Sequence, residues 1–177
     1  MKILNVIGMT LMLAVTALSG VGCSSKPRLV ECEIVVSPGG NLVQELAGKP
    51  LQVDLIGVND TDIAKYAGVS VDDYFAGTSA VRSDAGALRT TFNFNGNATG
   101  AQVLSVTGKT YALWRERGVK KIAILASGRG LKPAAGADMR KLMFPLTNKE
   151  WERGQKIQII VKESGIECAT AQKPQKE

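Results

Sequence analysis

Three cysteines carry most of the chemistry open to this 177-residue chain, because it contains no histidine. Without imidazole, the commonest general base and the commonest metal ligand are both missing. Cys23 follows Ser19-Gly20-Val21-Gly22 directly. Cleavage before it would leave an N-terminal cysteine open to acylation. Cys32 lies in Val30-Glu31-Cys32-Glu33-Ile34-Val35-Val36, where alternation sets Val30, Cys32, Ile34 and Val36 on one apolar face. Cys168 shares a face with Ile166. Two inward cysteines on the first and last strands of an exported domain predict a Cys32–Cys168 disulfide joining the two. The closed loop is long, so such a bond would contribute about 5 kcal/mol at most. The alternative is a pair of buried free thiols acting as small hydrophobes. A catalytic thiol is not expected, since no histidine is present to activate it.

The segment ahead of Cys23 explains how that residue would be presented. Lys2 gives a small positive start, and residues 3–18 form an apolar stretch. Small residues then lead to the cysteine, which is the layout of a secretory signal. Because it ends on Gly22-Cys23, it resembles a bacterial lipoprotein signal, although Gly20 stands where such signals usually have Leu. The expectation is acylation at Cys23, with several chains making membrane attachment stable. The alternative is an ordinary signal cut near Gly20 or Gly22, leaving a soluble periplasmic protein. Asn5, Gly8 and Thr10 interrupt the apolar stretch and argue against a membrane span. Ser24, rather than Asp, follows the cysteine. By likeness to Gram-negative sorting rules, this predicts the outer membrane, on its periplasmic face. An exported domain has no ATP or NAD at hand, so neither nucleotide nor cofactor is expected.

The remaining chain divides into a tether at 23–28, a domain at 29–170 and a polar tail at 171–177. The five residues from Ser24 to Arg28 reach about 18 Å when extended, so the domain would sit close to its membrane. Aromatics make up only 5% of the chain. Strands are predicted at 29–36, 51–58, 89–94, 101–106, 119–126 and 139–146, with a last one over 156–163 and 166–169 kinked near Gly165. Asn95-Gly96 predicts a hairpin joining the third and fourth. Alternation places Asp54 on the outer face of strand two. Short helices are predicted after Asn59-Asp60-Thr61-Asp62 and at Val71–Phe75 with Ser70 as cap. A longer helix is predicted at Lys109–Arg117, closed by Gly118. The sum is an all-β fold: a two-sheet β-sandwich of about seven strands, transthyretin- or immunoglobulin-like, with short helical insertions.

Charge is unevenly spread. Glu31 to Asp84 holds nine acids and three bases, whereas Ala85 to Glu177 holds seven acids and sixteen bases. The expectation is that the two halves interleave and neutralise each other across neighbouring strands rather than forming a docking patch. Nucleic acid is not expected as a partner, since the basic residues are not interleaved with aromatics.

Several motifs tempt and fail. Gly108-Lys109-Thr110 ends like a phosphate-binding loop, but Val103 stands where its first glycine belongs. Asp72-Asp73 lacks the spacing of a calcium loop and suits a helix first turn, so no metal is expected. Asn59-Asp60-Thr61 and Asn97-Ala98-Thr99 match the glycosylation pattern, which a bacterial lipoprotein would leave bare. Tyr111 and Trp114 read as core anchors, and Trp151 as a more open side chain. Asp138 and Arg140 share a face and read as a strand-edge ion pair. No Gly-x-Ser-x-Gly elbow exists, and no paired acids sit in an apolar setting.

Across most of the domain the chain resembles the outer-membrane lipoprotein of type VI secretion systems. The carrying residues are Asn41-Leu42, Gly48-Lys49-Pro50 opening Leu51–Leu55, Val71-Asp72-Asp73-Tyr74-Phe75, Ile122–Ala126 and Asp138-Met139-Arg140. The resemblance implies a transthyretin-like sandwich without enzymatic activity. It also implies an anchor that binds the periplasmic part of a large inner-membrane protein. The loop between the first two strands, Ser37 to Lys49, would dock that partner, with Asn41, Leu42 and Lys49 as contact residues. The Asp84–Gly100 region and the Ser127–Gly136 loop are longer than the family pattern. A different expectation, drawn from the residues alone, is a periplasmic glycan- or peptidoglycan-binding module using Trp151, Arg129 and the Gly128–Gly136 loop.

Overall fold

Strand alternation sets the frame. Val30, Cys32, Ile34 and Val36 are all buried, as their shared face predicts. The computed structural model describes residues 26–40, 42, 50–95, 99–128, 131 and 138–174. Among these, eight strands form two sheets: β1 (Glu33–Pro38), β2 (Leu51–Val58), β3 (Arg89–Phe94), β4 (Gln102–Leu104), β5 (Lys121–Ser127), β6 (Lys141–Pro145), β7 (Lys156–Lys162) and β8 (Gly165–Cys168). The first sheet runs β4-β1-β7-β8 and the second β3-β2-β5-β6. The β-sandwich with short helices is therefore the fold. β1 and β7 are parallel, and all other named pairs are antiparallel.

Between the sheets lies one apolar core, in which Ile34, Val53, Leu55, Ile124, Ile157 and Ile159 are fully buried. The second sheet is apolar on its other face too. There Ile56, Val58, Ala123 and Leu125 pack against Tyr66, Val71, Tyr74 and Ala85. Those partners come from α1 (Ile63–Gly68), α2 (Val71–Phe75) and α3 (Ala80–Ala85). α2 begins as predicted, with the Ser70 hydroxyl accepting the Asp73 N–H. The helices form a third layer that covers this sheet. α4 (Lys109–Glu116) is separate and ends at Gly118, whose φ of 65° suits glycine.

The third layer corrects the placement of Asp54. Alternation puts it on the outer face, and it is there, but the helices bury it completely. Its carboxylate accepts bonds from Thr91 Oγ1 at 2.6 Å, Arg82 Nε at 2.9 Å and Tyr74 Oη at 3.0 Å, with Arg89 Nε at 3.8 Å. Burying a carboxylate is tolerated only with such partners.

Two connections also differ from expectation. β3 and β4 are not a hairpin pair: Phe94 lies opposite Leu51, whereas Gln102 lies opposite Val36 in the other sheet. Inward burial of Phe94 and Leu104 is satisfied equally from facing sheets. A turn signal therefore encodes reversal without saying which sheet the return joins. The last strand is two strands, β7 and β8, which reverse after Lys162 and pair antiparallel. Gly165, at φ 135°, makes that reversal possible.

The Cys32–Cys168 disulfide is corrected as well: both thiols are free. Cys168 lies opposite Ile159, and Ile159 opposite Val36. Cys168 is thus two strand spacings from β1 and four residues along it from Cys32. That is about 10 Å across and 13 Å along, well beyond the Cα separation of about 7 Å that a disulfide spans. Cys32 Sγ instead lies 3.8 Å from Tyr111 Oη, and Cys168 Sγ reaches the Thr170 carbonyl at 3.4 Å.

Candidate functional site

Strand directions give the sandwich two ends. The chain enters at the near end, residues 26–32, which also holds the α4–β5 turn, the β6–β7 connection and the residues after β8. The far end holds the stems of the β1–β2, β3–β4 and β5–β6 connections and the β7–β8 turn.

Large aromatics stopper the near end. Tyr111 and Trp114 of α4 and Trp151 of the β6–β7 connection are all fully buried. Each donates to a backbone carbonyl: Tyr111 to Val30, Trp114 to Leu88 at 2.7 Å, and Trp151 to Pro145 at 2.7 Å. Burial raises the Tyr111 hydroxyl pKa well above its ordinary value. Gly57 is required for the fit, since a Cβ there would lie 2.5 Å from Trp114 Nε1. Beyond the stopper, a cleft of about 710 Å³ opens among Arg28, Glu31, Arg115, Lys120, Asn148 and Arg153, with Val30 and Val119 on its floor.

Ions close the far end. Arg140, whose side chain is only 9% exposed, forks onto Asp72 at 2.8 and 3.1 Å and onto Asp138 at 2.7 and 2.9 Å. The guanidinium holds both carboxyls below their ordinary range. This is stronger than the strand-edge pair expected for Asp138 and Arg140, because it joins the first turn of α2 to the start of β6. Gly39 N–H donates to the Val161 carbonyl at 2.8 Å, and Leu42 is buried in the inter-sheet core.

Leu42 is therefore a core anchor at the loop stem, which corrects its expected role as a contact residue. Asn41 and Lys49 lie outside the described residues, as do Cys23 and the whole signal segment, Arg129 and most of the Gly128–Gly136 loop. Trp151 is fully buried, with its indole N–H spent on Pro145, so the open aromatic surface expected of it is not there. The acidic and basic halves do interleave, as Lys120–Asp60, Arg140–Asp72, Arg153–Glu31 and Lys156–Glu33 pairs show. The cleft's cations were not anticipated. Their sequence signal is position: Arg115 and Lys120 flank Gly118, and Arg153 precedes Gly154, both turn glycines at one end.

No protein-family model matches the chain, and no curated protein matches its sequence. Solved structures do match its fold. The type VI secretion lipoprotein TssJ1 from Pseudomonas aeruginosa superposes with a TM-score of 0.50 at 16% identity, covering 85% of this chain and 99% of that one. The fold is that of a type VI secretion lipoprotein. A structure of the type VI secretion protein TssM C-terminal domain from EAEC matches at TM-score 0.51 and 10% identity, over 78% of this chain and 98% of that chain. A type VI membrane complex matches at TM-score 0.51 and 9% identity, over 81% and 98%.

Proposed function

We propose that this chain is a non-enzymatic lipoprotein of a cell-envelope complex of the type VI secretion kind. Residues 1–22 are its signal, Cys23 is acylated, and residues 23–28 tether the domain to the periplasmic face of the outer membrane. The loop at 37–49 docks the periplasmic part of an inner-membrane protein, with Asn41 and Lys49 as contact residues.

The observation that carries this reading is polarity. The chain enters at the near end, and the β1–β2 connection leaves and rejoins at the far end. A protein held at one end and docking at the other needs that arrangement. The likeness to TssJ1 over nearly all of that chain supports it. So does the buried Leu42, which fixes the loop to the inter-sheet core at the far end.

The test is purification from gently solubilised membranes through a C-terminal tag, with identification of what co-purifies. An inner-membrane protein with a large periplasmic domain is expected, and Asn41→Asp with Lys49→Glu should reduce its recovery at unchanged thermal stability. A solitary protein, or recovery unaffected by both substitutions, would overturn the docking loop.

A further inference from the structure

We propose that the basic cleft at the near end takes the phosphate headgroups of anionic phospholipids in the membrane that holds Cys23. The proposal rests on the lipoprotein reading above and adds a second, electrostatic contact to the acyl anchor.

The cleft brings together cations that the sequence scatters: Arg28, Arg115, Lys120 and Arg153. Glu31 is the one acid in its lining, shared by Arg153 at 2.7 Å and Arg115 at 3.6 Å. One carboxylate cannot neutralise two guanidiniums and leave nothing over, so the lining is net positive even with Lys120 paired to Asp60. Arg28 has no ion pair among the described residues. Its backbone is fixed on both sides, since Arg28 N–H donates to Asn148 Oδ1 at 3.0 Å and Asn148 N–H to the Arg28 carbonyl at 3.0 Å. The charge is therefore held at the mouth, not carried on a loose arm. Arg153 and Arg115 side chains are 83% and 57% exposed, open to a phosphate from outside. Next to the lining, exposed Lys26, Arg117 and Lys149 outnumber exposed Glu116 and Glu152, the latter paired with Lys173.

Position supplies the ligand. Pro27, the first lining residue, is four residue steps from Cys23, which is about 14 Å at full extension. An acylated Cys23 thus keeps the cleft within about one to two Debye lengths of the headgroup layer. At that range basic side chains are attracted to anionic lipid. The consequence is orientation: the domain stands with its near end on the bilayer and its far end directed away.

The test uses the full-length chain as extracted from membranes, with acylation read from its intact mass. It is reconstituted into vesicles of phosphatidylcholine, with or without phosphatidylglycerol. Lysine acetylation is then mapped by mass spectrometry. Labelling at Lys120 and Lys149 should fall about threefold or more on phosphatidylglycerol vesicles, recover in high salt, and leave far-end Lys162 unchanged. The double variant Arg28→Glu, Arg153→Glu should lose the protection at unchanged thermal stability. Equal labelling on both vesicles, or protection that survives the double substitution, overturns the proposal. Protection of the same lysines by poly-glutamate but not by lipid would assign the cleft to an acidic protein instead. A chain without acyl mass refutes the lipid anchor alone, and its sedimentation with phosphatidylglycerol vesicles then reads the cleft separately.

Discussion

The two ends of the sandwich are closed by different chemistry. Three buried aromatics seal the near end, and each spends its polar atom on a backbone carbonyl. The far end is closed by the charged fork of Arg140 on Asp72 and Asp138, with Leu42 as its apolar plug. Apolar burial and neutral hydrogen bonds do not respond to pH between the carboxylate and phenol ranges, whereas a guanidinium–carboxylate fork depends on ionised acids. The difference teaches that the end nearest the tether is built for permanence. The end that carries the β1–β2, β3–β4 and β5–β6 connections is held by contacts that acid can release.

The strongest way to break this comparison is at the near end. Trp151→Ala removes a fully buried ring that packs on Phe144 at a centroid distance of 5.6 Å. It should cost about 3–5 kcal/mol in urea unfolding. A cost below about 1 kcal/mol would mean that the near end is not sealed by this ring. Leu42→Ala comes next, at about 2–4 kcal/mol, because it empties a core site under the loop stem. A neutral result there would return Leu42 to the docking surface.

The far end is sharpened by acid. Asp72 and Asp138 have folded pKa values below their ordinary 3.8. A depressed carboxyl adds stability above its unfolded pKa and loses it as pH falls towards the folded value. Stability from the fork is therefore full at neutral pH and declines below about pH 4. Arg140→Ala should cost about 1–3 kcal/mol at pH 7, limited because Asp72 is largely solvated. The gap between variant and parent should narrow as pH falls through that window. Unfolding midpoints at a series of pH values check this, and a gap that stays constant would show that the fork adds no ionic stability.

Much of this was legible in the sequence. β2 and β3 occupy the predicted residues, and the cap of α2 is the predicted Ser70, because alternation and capping are local signals. The failures are all non-local. Asp54 reads as solvent-facing because alternation reports a face but not what covers it, and the cover comes from α2 and α3, some 20 to 30 residues further along the chain. Trp151 sits between Glu150 and Glu152, whose exposure says nothing of the ring between them. At the far-end loop Leu42 is core, because an isolated Leu beside turn residues does not announce which surface it packs against. The cleft's cations come together from three separate segments, the entering chain, the end of α4 with its turn, and the β6–β7 connection, a proximity that spacing along the chain does not encode.

The smallest expected effect concerns the bond the sequence suggested. Cys32 and Cys168 form no covalent staple, since β7 lies between β8, which carries Cys168, and β1, which Cys32 directly precedes. Reductant should therefore leave the urea midpoint unchanged, whereas loss of a disulfide closing so long a loop would lower the unfolding free energy by several kcal/mol and the midpoint with it. Burial pushes the Cys32 thiol up to about 11 and raises that of Cys168 as well. At mildly alkaline pH little of either is thiolate, so the native protein should alkylate slowly. In denaturant without reductant, iodoacetamide should modify both residues. One outcome would reverse the comparison: two unmodified cysteines that become reactive only after reduction. That result would require β1 and β8 to approach by about 9 Å or more, and so a register other than the one that buries Ile157, Ile159 and Val161 between the sheets.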